Sequence, residues 1–473
     1  MRRYACSLCA AVLAWTVSQQ APTTRKRRTC LGNAPALAAS VVGTSAAASA
    51  ADTLARVAVP SVRRPTRTYL SRLHDERHNG DRTTTAQHQR RVPDTPRCGP
   101  PSRRRIAARR PPQQTDRRGK MRAVAVHRGE ETPRVVEVPK PKPGPGEVLV
   151  ETHRVGVDGT DHEVIAGNHG GFPAGDDYQI LGHEAVGTVV DPNGTGFEVG
   201  DVVVPTVRRP PEGTNEYFER GEPDMAPDGR YLERGIVGAH GYMAEYFTSP
   251  AEFLVPIPES LASHGFLVEP TSNAEKALDH AFSARSAFDW RPESALVLGN
   301  GPLGLLTLAL VADSFDRLYC LGRRDRPDPT IDVIEGLGAT YVDSRETPVP
   351  DVPAVHEPAD LVVEATGHAK HAFETVRALA PNGVGALLGV PEDWTFEVDG
   401  GRVHRELVME NKALVGSVNS HVPHFEAAID SVAAFPDWFV DDLVTTVVPA
   451  EEPAAAFATD DGTIKTAVEF APL

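Results

Sequence analysis

Three glycines, Gly299, Gly301 and Gly304, stand at G-x-G-x-x-G spacing directly after the apolar run Ala295-Leu296-Val297-Leu298. Asn300, Pro302 and Leu303 fill the intervening places, and Leu305-Leu306 begins an apolar helix pattern. A strand, a tight turn and a helix in that order let backbone approach a pyrophosphate. Gly299 permits the turn, Gly301 the close approach and Gly304 the packing of helix on strand. The helix start then offers unpaired N–H groups and partial positive charge to phosphates. The spacing alone is weak; the flanking strand and helix, with a second strand at the expected distance (Leu318–Leu321), point to a dinucleotide. That second strand runs into Gly322-Arg323-Arg324-Asp325. An acid at this place usually holds a ribose 2′-hydroxyl, whereas two arginines suit charge-assisted bonds to a 2′-phosphate. NADP is therefore expected, with Asp325 leaving room for NAD.

A second group with chemical potential is Leu181-Gly182-His183-Glu184-Ala185-Val186-Gly187, a loop that opens a strand. By itself it assigns no metal, because single histidines are more often core or surface residues and this chain has 64 Asp+Glu.

The elements that must position these groups change character along the chain. From Met121, short strands (Val135–Val138, Glu147–Val155, Ala185–Val190, Val202–Pro205) alternate with turn clusters such as Pro143-Gly144-Pro145-Gly146, an all-β, barrel-like beginning. Near residue 270 the pattern turns to helix (Ser272–Phe282) and then to alternating buried strands and helices. Ser294–Leu298, Leu318–Leu321, Leu361–Glu364 and Gly385–Gly389 predict a parallel sheet, and Ile464–Phe470 returns to a strand pattern. The order implies an α/β chain in which a doubly wound cofactor domain (residues 273–421) interrupts a β-rich catalytic domain (121–272 and 422–473).

Charge divides the chain at the same place as pattern. Of 49 Lys+Arg and 64 Asp+Glu, residues 1–120 hold 24 and 6, a net of +18, and the remainder 25 and 58, a net of −33. The basic segment has no helical or strand period; a nucleic-acid arm or a targeting peptide is one reading. The preferred expectation is that translation starts at Met121 and that residues 1–120 are disordered or spurious. The apolar patch Tyr4–Trp15 is too short to span a membrane. The acidic remainder repels nucleic acid and suits a salt-rich cytoplasm, where its charges are screened. Of five cysteines only Cys320 lies after Met121, which excludes a disulfide framework there and fits a reducing compartment.

The motif G-H-E-x-x-G at residues 182–187, the Gly200-Asp201-Val202-Val203 turn and the terminal strand pattern resemble zinc-containing medium-chain dehydrogenases, over essentially all of residues 121–473. Arg154–Val164, Thr206–Pro211, Glu233–Tyr242 and Leu414–His421 are more specifically similar to glucose 1-dehydrogenases of the haloarchaeal type. The resemblance implies a GroES-like catalytic domain beside a Rossmann domain, and one catalytic zinc held by Asp158, His183, Glu184 and Glu269. Asp158 stands where the wider family has cysteine; a carboxylate is the harder ligand and should hold zinc less tightly. The family's four-cysteine structural zinc has no counterpart in Arg208–Arg234, so that lobe must be held by packing and charge.

The same resemblance gives Thr160 the reacting oxygen and its proton, Glu184 a share in proton removal, and Thr160, Glu233, Glu269 and Asn419 the sugar hydroxyls. It places Leu388-Gly389-Val390 and Ser417-Val418-Asn419 beside the nicotinamide, with Lys465 reaching the cofactor. The implied reaction is oxidation of D-glucose to D-glucono-1,5-lactone with NADP, in sugar breakdown by a modified Entner-Doudoroff route. A cytoplasmic homo-oligomer, dimer or tetramer, with no membrane or nucleic-acid partner is expected. The alternatives are another aldose or an alcohol as substrate, a metal-free quinone reductase of the same fold, or a binding role for the basic leader.

Overall fold

The structure is a computed structural model that describes residues 119–458, 460 and 462–472. The expectation for residues 1–120 lies outside these, apart from Gly119 and Lys120. The chain first makes β1 (Lys120–His127), β2 (Arg134–Pro139) and β3 (Glu147–Val157), then helix α1 (Gly159–Ala166). β4 (Tyr178–Ile180), β5 (Glu184–Asp191) and β6 (Val202–Pro205) follow, and a lobe built on β7 (Arg208–Arg209), β8 (Leu232–Arg234) and β9 (Gly238–Ala239). β10 (Tyr246–Pro250) and β11 (Leu254–Pro256) return to the main sheet, and α2 (Val268–Arg285) leads away from it.

The cofactor half alternates β12 (Ser294–Leu298), α3 (Pro302–Val311), β13 (Arg317–Gly322), α4 (Pro329–Gly336), β14 (Thr340–Asp343), β15 (Ala359–Glu364), α5 (His371–Ala378), β16 (Leu379–Leu387) and β17 (Ala413–Gly416). Helix α6 (Val422–Ala434), β18 (Thr446–Pro449) and β19 (Thr466–Glu469) complete the chain.

Its six parallel strands lie in the order β14-β13-β12-β15-β16-β17. All five residues of β12 are buried, as a parallel strand covered on both faces requires. The strand order reverses direction between β12 and β15, and in open α/β sheets ligands bind outside the carboxyl ends of the strands at that point. The catalytic sheet runs β11-β6-β5-β3-β19-β18, with β10 also on β3, so the last strand of the chain pairs with one of the first. Helix α2 carries Ala274, Ala277, Leu278, Ala281 and Phe282 into one apolar core with Val186 and Phe266 on one side and β12 and α3 on the other. It is thus the element best placed to join metal-ligand candidates to the cofactor sheet.

The strand expected at Gly385–Gly389 instead covers Leu379–Leu387. Pro381-Asn382-Gly383 reads as a turn, and Asn382 does take φ 67°, but the strand survives it as an irregularity against β15.

Candidate active site

Asp158 caps α1. Its Oδ1 accepts from Asp161 N at 3.1 Å, and Asp161 Oδ2 accepts in return from Asp158 N at 3.2 Å. This reciprocal cap ends β3 and fixes where Asp158 points. Thr160 Oγ1 donates to Asp158 Oδ2 at 2.9 Å, and Asp161 Oδ1 accepts from Gly182 N at 3.1 Å. Asp161 therefore ties the cap to the backbone just before His183. His183 Nε2 lies 3.6 Å from Asp158 Oδ2. That is too long for a hydrogen bond, but ligands bonded at ~2.0–2.2 Å around tetrahedral zinc stand roughly 3.3–3.6 Å apart.

Ligand atoms of Asp158, Asp161 and His183 lie within 4.8 Å of one another, as do those of His183, Glu184 and Glu269. His183 is common to both sets. Glu184 begins β5 and is buried; Gly156 opposite it makes the room, since a Cβ there would meet Glu184 Oε2 at 1.9 Å. Glu269, in the first turn of α2, accepts from Asn273 Nδ2 at 3.0 Å.

Three buried carboxyls and the half-buried Asp158 around one histidine are electrostatically unbalanced. Burial raises Glu269 to about 7 and, with the help of Asp158, Asp161 to about 7. Burial works to lower His183, but Asp158, Glu269, Asp161 and Glu184 together raise it to about 9. Burial also works to raise Asp158, which His183 and Lys465 keep below the usual carboxylate range. A divalent cation is the charge this cluster lacks, and buried His183 Nδ1 has no hydrogen-bond partner among the described residues. The donor set fits zinc.

Lys465, expected to reach the cofactor, is placed on Glu184. Its ammonium is buried 2.5 Å from Glu184 Oε2 and donates to Val157 O at 2.9 Å. A buried ammonium needs charge and acceptors close by, and Glu184 supplies both.

At the cofactor turn, Gly299 takes φ +115° and its N–H bonds Leu321 O at 2.8 Å. A Cβ on Gly304 would meet Gly299 O at 2.0 Å, whereas one on Gly301 would meet nothing within 4 Å. Gly301 is the cap of α3 and Pro302 takes its first turn, where a missing N–H costs nothing. Asn300 Nδ2 donates to Thr330 Oγ1 at 2.7 Å and so fixes the turn to α4. Leu303 packs against the core.

Leu388 and Gly389 leave β16 with their N–H groups on Glu364 O, at 2.9 and 3.1 Å. Val390 and Val418 are exposed, and Ser417, its N–H on Leu387 O at 2.9 Å, keeps a buried hydroxyl without a partner among the described residues. These loops leave the carboxyl ends of adjacent strands, at the same edge of the parallel sheet as the glycine turn.

Past β13, Arg324 Nε stands 3.9 Å from Asp328, while Asp325 pairs with Arg345 at 2.8 Å. Arg345, unremarked in the sequence, also pairs with Asp343 at 2.6 Å, and Arg323 is exposed. Asp325 and Asp343 are thereby occupied by Arg345, and Asp328 is the acid beside Arg324.

The sugar-contact candidates are more dispersed. Glu233 is buried, with Oε1 on Arg208 Nε at 2.9 Å. Arg208 Nη1 also bonds the carbonyls of Asp224 at 2.9 Å and Ala226 at 3.2 Å, which is how a lobe without cysteines is held. The turn after Glu233 packs on the backbone before His183, for a Cβ on Gly235 would meet Gly182 O at 2.5 Å. Asn419 takes φ 57° and accepts from Ser420 N at 2.9 Å. Sequence reasoning missed Lys276 and Asp224, whose ion pair spans 2.7 Å, because nothing in their spacing marks them.

Residues 144–259 match the alcohol dehydrogenase GroES-like domain and residues 262–470 the glucose dehydrogenase C-terminus. A glucose 1-dehydrogenase of Haloferax mediterranei is 68% identical over 354 residues, 74% of this chain and 99% of that one. One of Halobacterium salinarum is 63% identical over 353 residues, with the same two coverages. The solved glucose dehydrogenase of Haloferax mediterranei in complex with NADP, Zn and gluconolactone superposes with a TM-score of 0.74 at 68% identity, covering 75% of this chain and all of that one. With the acidic cluster, the glycine turn and the sheet order in the same chain, the conclusion is direct: it belongs to the glucose 1-dehydrogenase family of zinc-type medium-chain dehydrogenases.

Proposed function

We propose that the chain oxidises D-glucose to D-glucono-1,5-lactone with NADP. The observation that carries this is His183, which shares one set of close ligand atoms with Asp158 and Asp161 and another with Glu184 and Glu269. Bound there, zinc would supply Lewis acidity to the sugar C1 hydroxyl, and NADP would supply the carbon that accepts the hydride from C1. Asp158, His183 and Glu269 are the proposed ligands; Lys465 holds Glu184 by charge, which favours a place for Glu184 beside the ion. Thr160 Oγ1 donates its own hydrogen to Asp158, so its lone pairs are left to accept a hydrogen bond from the C1 hydroxyl and orient it. Glu233 and Asn419 offer acceptors and an amide to the remaining hydroxyls, the kind of fixed polar contact that discriminates a sugar. The paired acids Asp325 and Asp343 leave Arg323 and Arg324 as the charges facing a 2′-phosphate.

Work as a homo-oligomer, a dimer or tetramer, is part of the same reading. Val408 and Met409 are exposed on the segment leading to edge strand β17, which supports it. The net charge of residues 121–473 supports a salt-rich cytoplasm, and no described helix is long and apolar enough to cross a membrane. The test is an aldose and alcohol panel with NADP and NAD, in molar salt with added zinc. Glucose with NADP is expected to give the highest kcat/KM; a different best sugar, or turnover indifferent to chelation, overturns the reading.

A further inference from the structure

Two helical turns beyond Glu269 on α2, Lys276 is 1% exposed. Its ammonium lies 2.7 Å from Asp224 Oδ2 and donates to Val418 O at 2.9 Å. Asp224 is also buried, in the lobe turn Pro223–Met225, and its Oδ1 faces His421 Nδ1 at 3.1 Å. The carbonyl of Asp224 accepts from Arg208 Nη1 at 2.9 Å, and Arg208 Nε holds Glu233 at 2.9 Å. A line of buried polar contacts therefore runs from Glu233 through Arg208 and Asp224 to Lys276, and on to the residue that precedes Asn419.

Asp224, His421 and His424 also have ligand atoms within 4.8 Å of one another, but the ammonium already on Asp224 is the cation of that group. A lysine suits the junction because it carries three donors on a long stem. One meets the lobe, one meets the loop after β17, and the stem is anchored on α2. That loop has a second anchor, Ser272 Oγ to Ser420 Oγ at 2.6 Å, one turn away on the same helix. Loss of Lys276 would therefore shift the loop rather than release it.

We propose that Lys276 is a positioning residue that sets the separation of Glu233 from Asn419, and through it the fit of the sugar. This rests on the reading that those two residues meet the sugar.

Removing Lys276 alone would strand the buried Asp224 carboxylate and confuse stability with position. The test is the double variant Lys276→Met/Asp224→Asn, which neutralises both ends. It is expected to fold and to hold zinc after dialysis as the parent does. NADP affinity should stay within about threefold, since phosphate contacts carry most of it. The KM for glucose should rise at least about tenfold, because small misplacements of polar groups cost that much or more. Should that protein not fold, Lys276→Gln/Asp224→Asn carries the same expectation, because glutamine is too short to span both partners. A parental sugar KM in either folded variant overturns the proposal, as does a fall in zinc or NADP binding in step with the sugar. A parent that turns over no aldose refutes the functional reading and this proposal with it.

Discussion

At the scale of single residues, Asp158 bears the most distinctive chemistry. It caps α1, accepts from Thr160 and stands at ligand spacing from His183. Asp158→Ala is expected to lose its zinc on dialysis against chelator, with metal affinity and turnover falling more than about a hundredfold. Asp158→Cys should keep the metal, because thiolate is an ordinary zinc ligand. Cys320 will not compete, since burial pushes its thiol up to about 12. An alanine variant that retains both zinc and rate would show that Asp158 is not a ligand. Past β13, neutralising Arg323 and Arg324 should raise the KM for NADP at least about tenfold, from ~1.5 kcal/mol or more per charge-assisted bond. The KM for NAD should change little; equal changes would remove these arginines from cofactor choice. The three glycines were legible from spacing because Gly299 and Gly304 answer steric demands of the turn itself and Gly301 keeps space open in front of it. Asp158 was legible only by resemblance, as no local pattern separates it from the chain's other acids. The pairing of Lys465 with Glu184 and that of Lys276 with Asp224 went unread for one reason: a buried ammonium takes its meaning from partners on distant elements.

Among the elements, the strand–turn–helix unit of β12 and α3 makes the sharpest demand. Its outer glycine and its middle glycine do different work, and a pair of substitutions separates them. Gly304→Ala places a Cβ against Gly299 O and must push α3 off β12, a cost of about 1–3 kcal/mol by overpacking. Gly301→Ala meets only open space, so its melting temperature should match the parent's while NADP binding is lost to the intruding methyl. Calorimetry with and without NADP distinguishes them, and equal stabilities would refute the packing argument. Continuous apolar runs made β12, β13 and β15 readable, for strands buried on both faces have no other composition. The two-residue strands β7 and β9 carry no period, and partly exposed β17 is set by its neighbour β16 rather than by its own sequence.

For the whole molecule, a surplus of acids works against compaction wherever charges are unscreened. The Debye length falls from about 10 Å at 0.1 M salt to about 3 Å at 1 M. The melting temperature should therefore rise steeply with added KCl and flatten near molar salt; a melting point indifferent to salt would contradict this account. Connectivity imposes a second condition. β19 fills the place between β3 and β18, and Lys465, just before it, is the cation on Glu184. On the ribosome, the barrel begun at β1 must wait while the entire nucleotide-binding half is made. Through that interval β3 keeps an open flank, the kind of edge that recruits strands from other chains. Residues 121–300 hold 14 Lys+Arg and 29 Asp+Glu, a net of −15, and that surplus keeps neighbouring unfinished barrels apart until the closing strand emerges.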